Sequence, residues 1–347
     1  MKCLLPFSYI YALVTDCRNW LFDHGWLQER EFRTPTICLG NLSVGGTGKT
    51  PFTEFLADWL QTEGKTIATL SRGYGRKTKG YRLVTNAQTA EEVGDEPLQM
   101  FRHFSGKIAV AVCEDRCKGI ETLEAEIHPD IILLDDAFQH RYVKPTVRIL
   151  LTDFSRPYFQ DEVLPAGRLR EGRKGARRAD IIVVTKCPEN LSKAAAEDFI
   201  QRLELQPDQR VFFSSIYYKE LPVESAELRK KSLSLLTGIA NPSPLIDYFR
   251  KMGVTFQQHL RFRDHHRFVP TDIQKIEMAA QQSDYIVTTA KDFARLKDSD
   301  LSHEAQSKIL IQDIYLRILF DAENDLKTSI LGGFYKLAFS DFRILVE

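Results

Sequence analysis

Three glycines, Gly45, Gly46 and Gly48, run directly into Lys49 and Thr50 within Gly40-Asn41-Leu42-Ser43-Val44-Gly45-Gly46-Thr47-Gly48-Lys49-Thr50. Glycines let successive backbone N–H groups converge on one anion, and a helix opening behind them adds partial positive charge. Thr36–Leu39 reads as a strand before this turn, and Phe52, Phe55, Leu56, Trp59 and Leu60 recur at helical spacing after it. That context makes Val44, Gly45, Gly46, Thr47, Gly48, Lys49 and Thr50 a phosphate cradle. Lys49 would reach β- and γ-phosphates, and the Thr50 hydroxyl would face Mg²⁺. The strict consensus has glycine where this chain has Ser43.

A second constellation is Ile131-Ile132-Leu133-Leu134-Asp135-Asp136, a buried strand ending in two carboxylates. A P-loop protein holds its divalent ion at such a point, directly or through water, opposite the Thr of the loop. Adjacent carboxylates repel unless a cation or hydrogen bonds offset them, which makes Asp135 and Asp136 metal candidates beside Thr50. The plain alternative is an acidic helix cap after a strand.

Further segments bear on what receives the phosphate. Ser71-Arg72-Gly73-Tyr74-Gly75-Arg76-Lys77 offers cations on a glycine-rich loop. Gly94-Asp95-Glu96-Pro97 sets a carboxylate before a helix-opening proline. Asp136-Ala137-Phe138-Gln139-His140 extends the acidic strand end, and Leu164–Glu171 leads into Arg173, Lys174, Arg177 and Arg178. That basic run suits a solvated loop as well as a site, and it lacks the interleaved aromatics of a single-strand nucleic-acid platform. Arg263-Asp264-His265-His266 brings two imidazoles beside a carboxylate, with no further spaced ligands for zinc.

The elements that must position these groups form an alternating series. Strands are expected at Thr36–Leu39, Thr66–Leu70, Lys107–Val112, Asp130–Leu134, Arg148–Thr152, Ile181–Thr185 and Val211–Ser215, with helices between. Continuous rather than alternating hydrophobicity suits parallel strands covered on both faces. The fold class is therefore α/β: a P-loop NTPase-like, doubly wound, mostly parallel sheet with a second, smaller α/β domain. The smaller domain draws on Ser232–Leu236, Val254–Leu260, Tyr285–Thr289 and Ile309–Ile314. The division is expected between 1–218 and 219–347.

With 347 residues the chain has room for about two domains. Lys+Arg and Asp+Glu are both 47, so no overall field draws in nucleic acid, and no nucleic-acid partner is expected. Six cysteines form no CxxC pair, which fits free thiols in a reducing compartment. The N-terminus is unusual: Leu4, Leu5, Phe7, Tyr9, Ile10, Tyr11, Leu13 and Val14 precede Asp16 and Arg18, and Trp20, Leu21, Phe22 and Trp26 follow. It is too interrupted to span a bilayer. It reads as an interfacial helix over about 1–28, or as a helix packed on its own domain.

Together these strings resemble the tetraacyldisaccharide 4'-kinase family, the lipid A 4'-kinases of Gram-negative bacteria. The resemblance runs through Arg18-Asn19, Gly40–Pro51, Ser71–Lys77, Gly94–Pro97, Asp135–His140, Leu164–Glu171 and Asp264-His265, and the Ser43 form of the loop belongs to it. Departures are Ala137, where the family usually has Gly, and Thr289-Ala290-Lys291-Asp292, where it usually has Thr-Glu-Lys-Asp. The resemblance implies transfer of the γ-phosphoryl group of ATP, with Mg²⁺, to the 4'-hydroxyl of a tetraacylated glucosamine disaccharide 1-phosphate. It implies Asp95 as proton acceptor and His265 as its partner, with closure of one domain on the other assembling the pair. Asn41, Arg72, Arg116, Gln139, His140, Arg170 and Glu171 are the candidates for gripping the disaccharide. The substrate's acyl chains imply a peripheral enzyme on the cytoplasmic face of the inner membrane, with no obligate protein partner inferred. A GTP-dependent switch is the rival class: Val183-Val184-Thr185-Lys186 ends a strand much as a guanine-reading motif would, but Cys187 and Pro188 follow and the required Asp is missing.

Overall fold

The strand before the glycine-rich turn, β1 (Thr36–Asn41), is buried along its whole length. The structure, a computed structural model, describes residues 4–264, 266–296 and 299–343, with side chains described as far as residue 334. The other strands are β2 (Ile67–Ser71), β3 (Arg82–Leu83), β4 (Ala109–Val112), β5 (Ile131–Leu134), β6 (Val147–Asp153), β7 (Ile181–Thr185), β8 (Arg210–Tyr218), β9 (Leu233–Thr237), β10 (Gln258–Arg261), β11 (Tyr285–Thr289), β12 (Ile309–Gln312) and β13 (Ile314–Ile318). The helices that matter most below are α1 (Leu5–Asp23), α2 (Lys49–Thr62), α3 (Ala90–Val93), α4 (Asp95–His103) and α5 (Arg116–Glu126).

Among the described residues the chain forms a nine-stranded sheet, ordered β13-β8-β7-β6-β1-β5-β2-β4-β3, and a four-stranded sheet, ordered β10-β9-β11-β12. From β8 to β4 the pairings of the large sheet are parallel, and β3 adds an antiparallel edge. The doubly wound, mostly parallel architecture read from the sequence is the one observed. β1 lies between β5 and β6, with Cys38 opposite both Leu134 and Arg148. The connections leaving β1 and β6 run to opposite sides, so a crevice opens at their carboxyl ends, where open α/β sheets bind ligands.

Alternate residues of β1 feed two cores. Ile37 and Leu39 pack with Phe52, Leu56 and Leu60 of α2, whereas Cys38 packs with Ile132, Leu134, Ile120 and Leu123. This two-sided burial explains why the strands carry unbroken apolar runs.

The chain divides into two compact units, Met1–Ile216 with Leu316–Glu347, and Tyr217–Tyr315. The sequence reading placed everything from 219 onward in the smaller unit. Leu316 onward belongs instead with the larger one. Leu316, Ile318, Leu326 and Ile330 are buried in the same core as Ile37 and Phe52, and β13 lies beside β8. The expected single strand over Ile309–Ile314 is in fact two, β12 and β13, which join different sheets. An apolar run read along the chain does not say at which residue it changes sheets.

Helix α1 docks by its polar residues. Arg18 donates to the Gln139 carbonyl at 2.8 Å, Asn19 donates to Glu171 at 2.8 Å, and the Ser8 hydroxyl accepts from the Ala166 N–H at 2.9 Å. The buried Arg141 binds the Asn19 carbonyl, Asp23 and Glu29, with its guanidinium over the Phe22 ring. Phe7, Tyr9, Ile10, Leu13, Val14 and Trp20 are left exposed. Among the described residues no helix is long and apolar enough to cross a membrane.

Candidate active site

Gly45 and Gly48 both have positive φ, 112° and 81°, and Gly48 turns the chain into α2, whose first residue is Lys49. Ser43 sits where strict P-loops have glycine, and its surroundings show why a side chain is tolerated. It forms an antiparallel bridge with Leu169, flanked by hydrogen bonds from Val44 N–H to the Arg168 carbonyl and from Arg170 N–H to the Leu42 carbonyl. The extended backbone there makes no demand for glycine. The same pairing ties the basic segment to the glycine loop and delivers Arg170 to the acidic strand end.

The acidic pair lies at the end of β5, next to β1. Asp136 has φ +49°, a conformation uncommon for a side-chain-bearing residue. Lys49 Nζ lies 3.5 Å from its Oδ1, and Arg170 donates one nitrogen to both oxygens at 2.9 and 3.0 Å. Burial works against its charge, but Lys49 and Arg170 outweigh burial and hold the carboxyl below its ordinary range. Asp135 differs. Burial, then Glu96 and Asp136, push it up to about 7, with Lys49 and Arg116 opposing. Thr50, Glu96 and Asp135 line one small cavity with Thr53, Thr69 and Ser71. A hydroxyl and two carboxylates around a space with surplus negative charge suit a hard divalent cation. Glu96 is a residue the sequence reading quoted but gave no part in the metal set.

The candidates for gripping an acceptor separate into two groups. Asn41 is fully enclosed: its side-chain amide donates to the Thr47 hydroxyl at 2.6 Å, and its main-chain carbonyl accepts from Gln139 at 2.9 Å. Glu171 is buried and accepts from Asn19, Gln139 and Arg178. Arg116 is buried with Nη1 donating to the Cys113 and Glu114 carbonyls. These polar groups brace the site from inside. Arg72 is exposed and His140 half-buried. His140 is held neutral because burial, with Arg116 next, depresses it to about 4.

Asp95 opens α4 and is half-buried. His265, its expected partner, lies outside the described residues. Its chain neighbour Asp264 is held by Lys291 at 3.0 Å. Asp292 of the Thr289–Asp292 string is fully buried and bonds the Thr289 hydroxyl, the Gly238 N–H and Arg295.

The guanine-like motif has another use. The Thr185 hydroxyl donates to the Thr47 carbonyl at 2.7 Å, and Lys186, at φ +56°, donates to the Gly46 carbonyl while pairing with Asp153 at 2.9 Å. β7 thus braces the glycine loop. The relevant signal, Thr-Lys at a strand end, was legible; its target was not.

Comparison with known proteins supplies the remaining identification. A family model described as tetraacyldisaccharide-1-P 4'-kinase matches residues 1–333. A protein of Bacteroides thetaiotaomicron called tetraacyldisaccharide 4'-kinase is 42% identical over 356 residues, covering 95% of this chain and 92% of the relative. One of the same name from Flavobacterium johnsoniae is 44% identical over 307 residues, covering 86% and 88% respectively. Among solved structures, the "apo" form of LpxK from Aquifex aeolicus in complex with ATP superposes with TM-score 0.76 at 29% identity, covering 96% of this chain and 99% of that one. A glycine loop, an acidic pair and an arginine-bearing segment brought together, in a chain matched along nearly its whole length, place this protein in the tetraacyldisaccharide-1-P 4'-kinase family.

Proposed function

We propose that the protein transfers the γ-phosphoryl group of ATP to the 4'-hydroxyl of a tetraacylated glucosamine disaccharide 1-phosphate, a step of lipid A assembly. The observation that carries the reading is the contact of Lys49 with Asp136, which joins the phosphate loop to the acidic strand end. Phosphoryl transfer asks mainly for positioning and charge compensation. The loop amides from Val44 to Thr50 cradle the phosphates, and Lys49 moves from Asp136 toward the incoming γ-phosphate. Arg170 keeps Asp136 ionised and in place while that exchange occurs.

Thr50, Asp135 and Asp136 are the residues that would hold Mg²⁺, with Glu96 on the same cavity wall. A bound Mg²⁺ neutralises charge on the transferring phosphates. Asp135, pushed up to about 7 by burial and then by Glu96 and Asp136, would give up its proton on binding a divalent cation. Asp95 is assigned the acceptance of the sugar hydroxyl proton. Arg72 and His140 face the acceptor, and Asn41, Gln139 and Glu171 fix the frame behind them. The test is turnover of tetraacyldisaccharide 1-phosphate by purified protein with ATP and Mg²⁺. Absence of a 4'-phosphorylated product, with a control family member active in parallel, overturns the assignment.

The inverted arrangement of α1 supports a place at the membrane surface. An amphipathic helix of a soluble protein turns its apolar side inward. Here Arg18, Asn19 and Ser8 face the protein, while Phe7, Ile10, Leu13 and Val14 face out. Such a face buries itself shallowly in headgroups and acyl chains, where the substrate resides. The cytoplasmic leaflet is the side where ATP is available. Ile10→Ser with Leu13→Ser should release the protein from phospholipid vesicles in a flotation assay; undiminished flotation would remove α1 from this role.

A further inference from the structure

At the edge of the acceptor region, one ligand atom each from Asp115, Cys117 and His140 lie within 4.8 Å of one another. Asp115 caps α5, Cys117 occupies its first turn, and His140 arrives from the segment after β5. We propose that these three side chains form a binding site for a thiophilic divalent cation, Zn²⁺ in character, distinct from the Mg²⁺ position beside Thr50.

Three observations converge on it. The set mixes thiol, imidazole and carboxylate, the donors of zinc sites that keep a fourth position open to water. His140 Nε2 is buried and has no hydrogen-bond partner among the described residues, so a lone pair or N–H there is unsatisfied. The Cys117 thiol donates a weak hydrogen bond to the Tyr142 carbonyl at 3.6 Å, which an incoming cation can displace.

The surroundings select the kind of cation. Arg116, Arg18 and Arg72 act on His140, and the α5 N-terminus adds partial positive charge. A hard ion held by field alone is disfavoured there. A soft ion that bonds to sulfur and nitrogen is less dependent on the field. The Cys117 thiol is pushed up by burial, by Asp115 and by Glu121, with Arg30 opposing, so the ion must displace its proton to solvent. Asp115 and the resulting thiolate then balance the two positive charges. A span of up to 4.8 Å is wider than the separation of ligands on a tetrahedral ion, so the three side chains must draw together as the ion binds.

Resting on the assignment of His140 to the acceptor region, occupancy withdraws His140 from the sugar and slows the kinase. The experiment titrates full-length protein with Co²⁺ and reads the sulfur-to-cobalt absorption in the near ultraviolet. One equivalent with a thiolate band is expected, weakened at least about tenfold in Cys117→Ser. In parallel, Zn²⁺ at constant excess Mg²⁺ should inhibit turnover of the wild type more than of Cys117→Ser, whose rate without zinc is unchanged. No band, or a band equal in Cys117→Ser, overturns the site. Cysteine-dependent cobalt binding without cysteine-dependent inhibition upholds the site and removes His140 from the acceptor's path.

Discussion

Arg170 grips Asp136 through a single guanidinium nitrogen shared between both carboxylate oxygens, while Lys49 approaches the same carboxylate from the phosphate loop. A carboxylate between two cations stays ionised and leaves Lys49 only partly committed to it. Replacing Arg170 by Ala should therefore lower kcat about a hundredfold, the scale for losing one preorganised charged group at a reacting phosphate. Lys at this position cannot reproduce the guanidinium's directional donors and should recover little. Steady-state kinetics of both variants decide it; full activity in Arg170→Lys would show that charge alone suffices.

Lys186 is tied to the Gly46 carbonyl and to Asp153, so it fixes the glycine loop from the neighbouring strand β7. Lys186→Ala should loosen the cradle and weaken nucleotide binding by about threefold to tenfold, a modest effect because the pair is partly exposed. Fluorescent nucleotide titration measures this directly. Unaltered affinity would mean that the loop holds its shape without the lysine.

Gly40, near the end of β1, leaves no room for a side chain. A Cβ there would stand 2.6 Å from Phe138 Cβ and 2.9 Å from the Phe138 backbone nitrogen. Gly40→Ala should cost about 1–3 kcal/mol through overpacking and displace the turn that carries Asp136. Thermal unfolding and turnover would fall together. A stable but inactive variant would mean that the turn, rather than the fold, absorbs the strain.

His140 also links folding to pH. Its folded pKa, about 4, lies below the ordinary value near 6.5, first because burial disfavours the charged ring and next because Arg116 repels it. Between those two values the unfolded chain binds the proton and the folded one does not, so stability is lost as pH falls through that window. His140→Gln should show a shallower loss over the same range in denaturant titrations. Parallel curves for the two proteins would refute this.

The larger sheet was legible because its strands are buried on both faces, leaving Ile181–Thr185 or Ile131–Leu134 as unbroken apolar runs. The phosphate loop and acidic pair were legible because each is contiguous. What the sequence withheld was orientation. Periodicity shows which residues of α1 share a side, but not that Arg18 and Asn19 find partners 121 and 152 positions away and so turn the apolar side outward. The supporting roles of Asn41 and Glu171 were hidden for the same reason: polar residue types are shared by groups that touch a ligand and groups that hold others still. Cys117 and His140 meet across two segments, so no spacing rule could join them.

The return of Leu316–Glu347 to the larger unit has a bearing on how the chain comes off the ribosome. Until residues 314–330 emerge, β8 lacks its neighbour β13, and the core around Ile37 and Phe52 lacks Leu316, Ile318, Leu326 and Ile330. An unpaired strand edge is a template for mispairing. The intervening segment Tyr217–Tyr315 has its own sheet and core and can organise during that wait. Residues 314–330 must therefore emerge before the nucleotide-binding half is sealed, and nascent chains halted short of them present a sticky border rather than a working kinase.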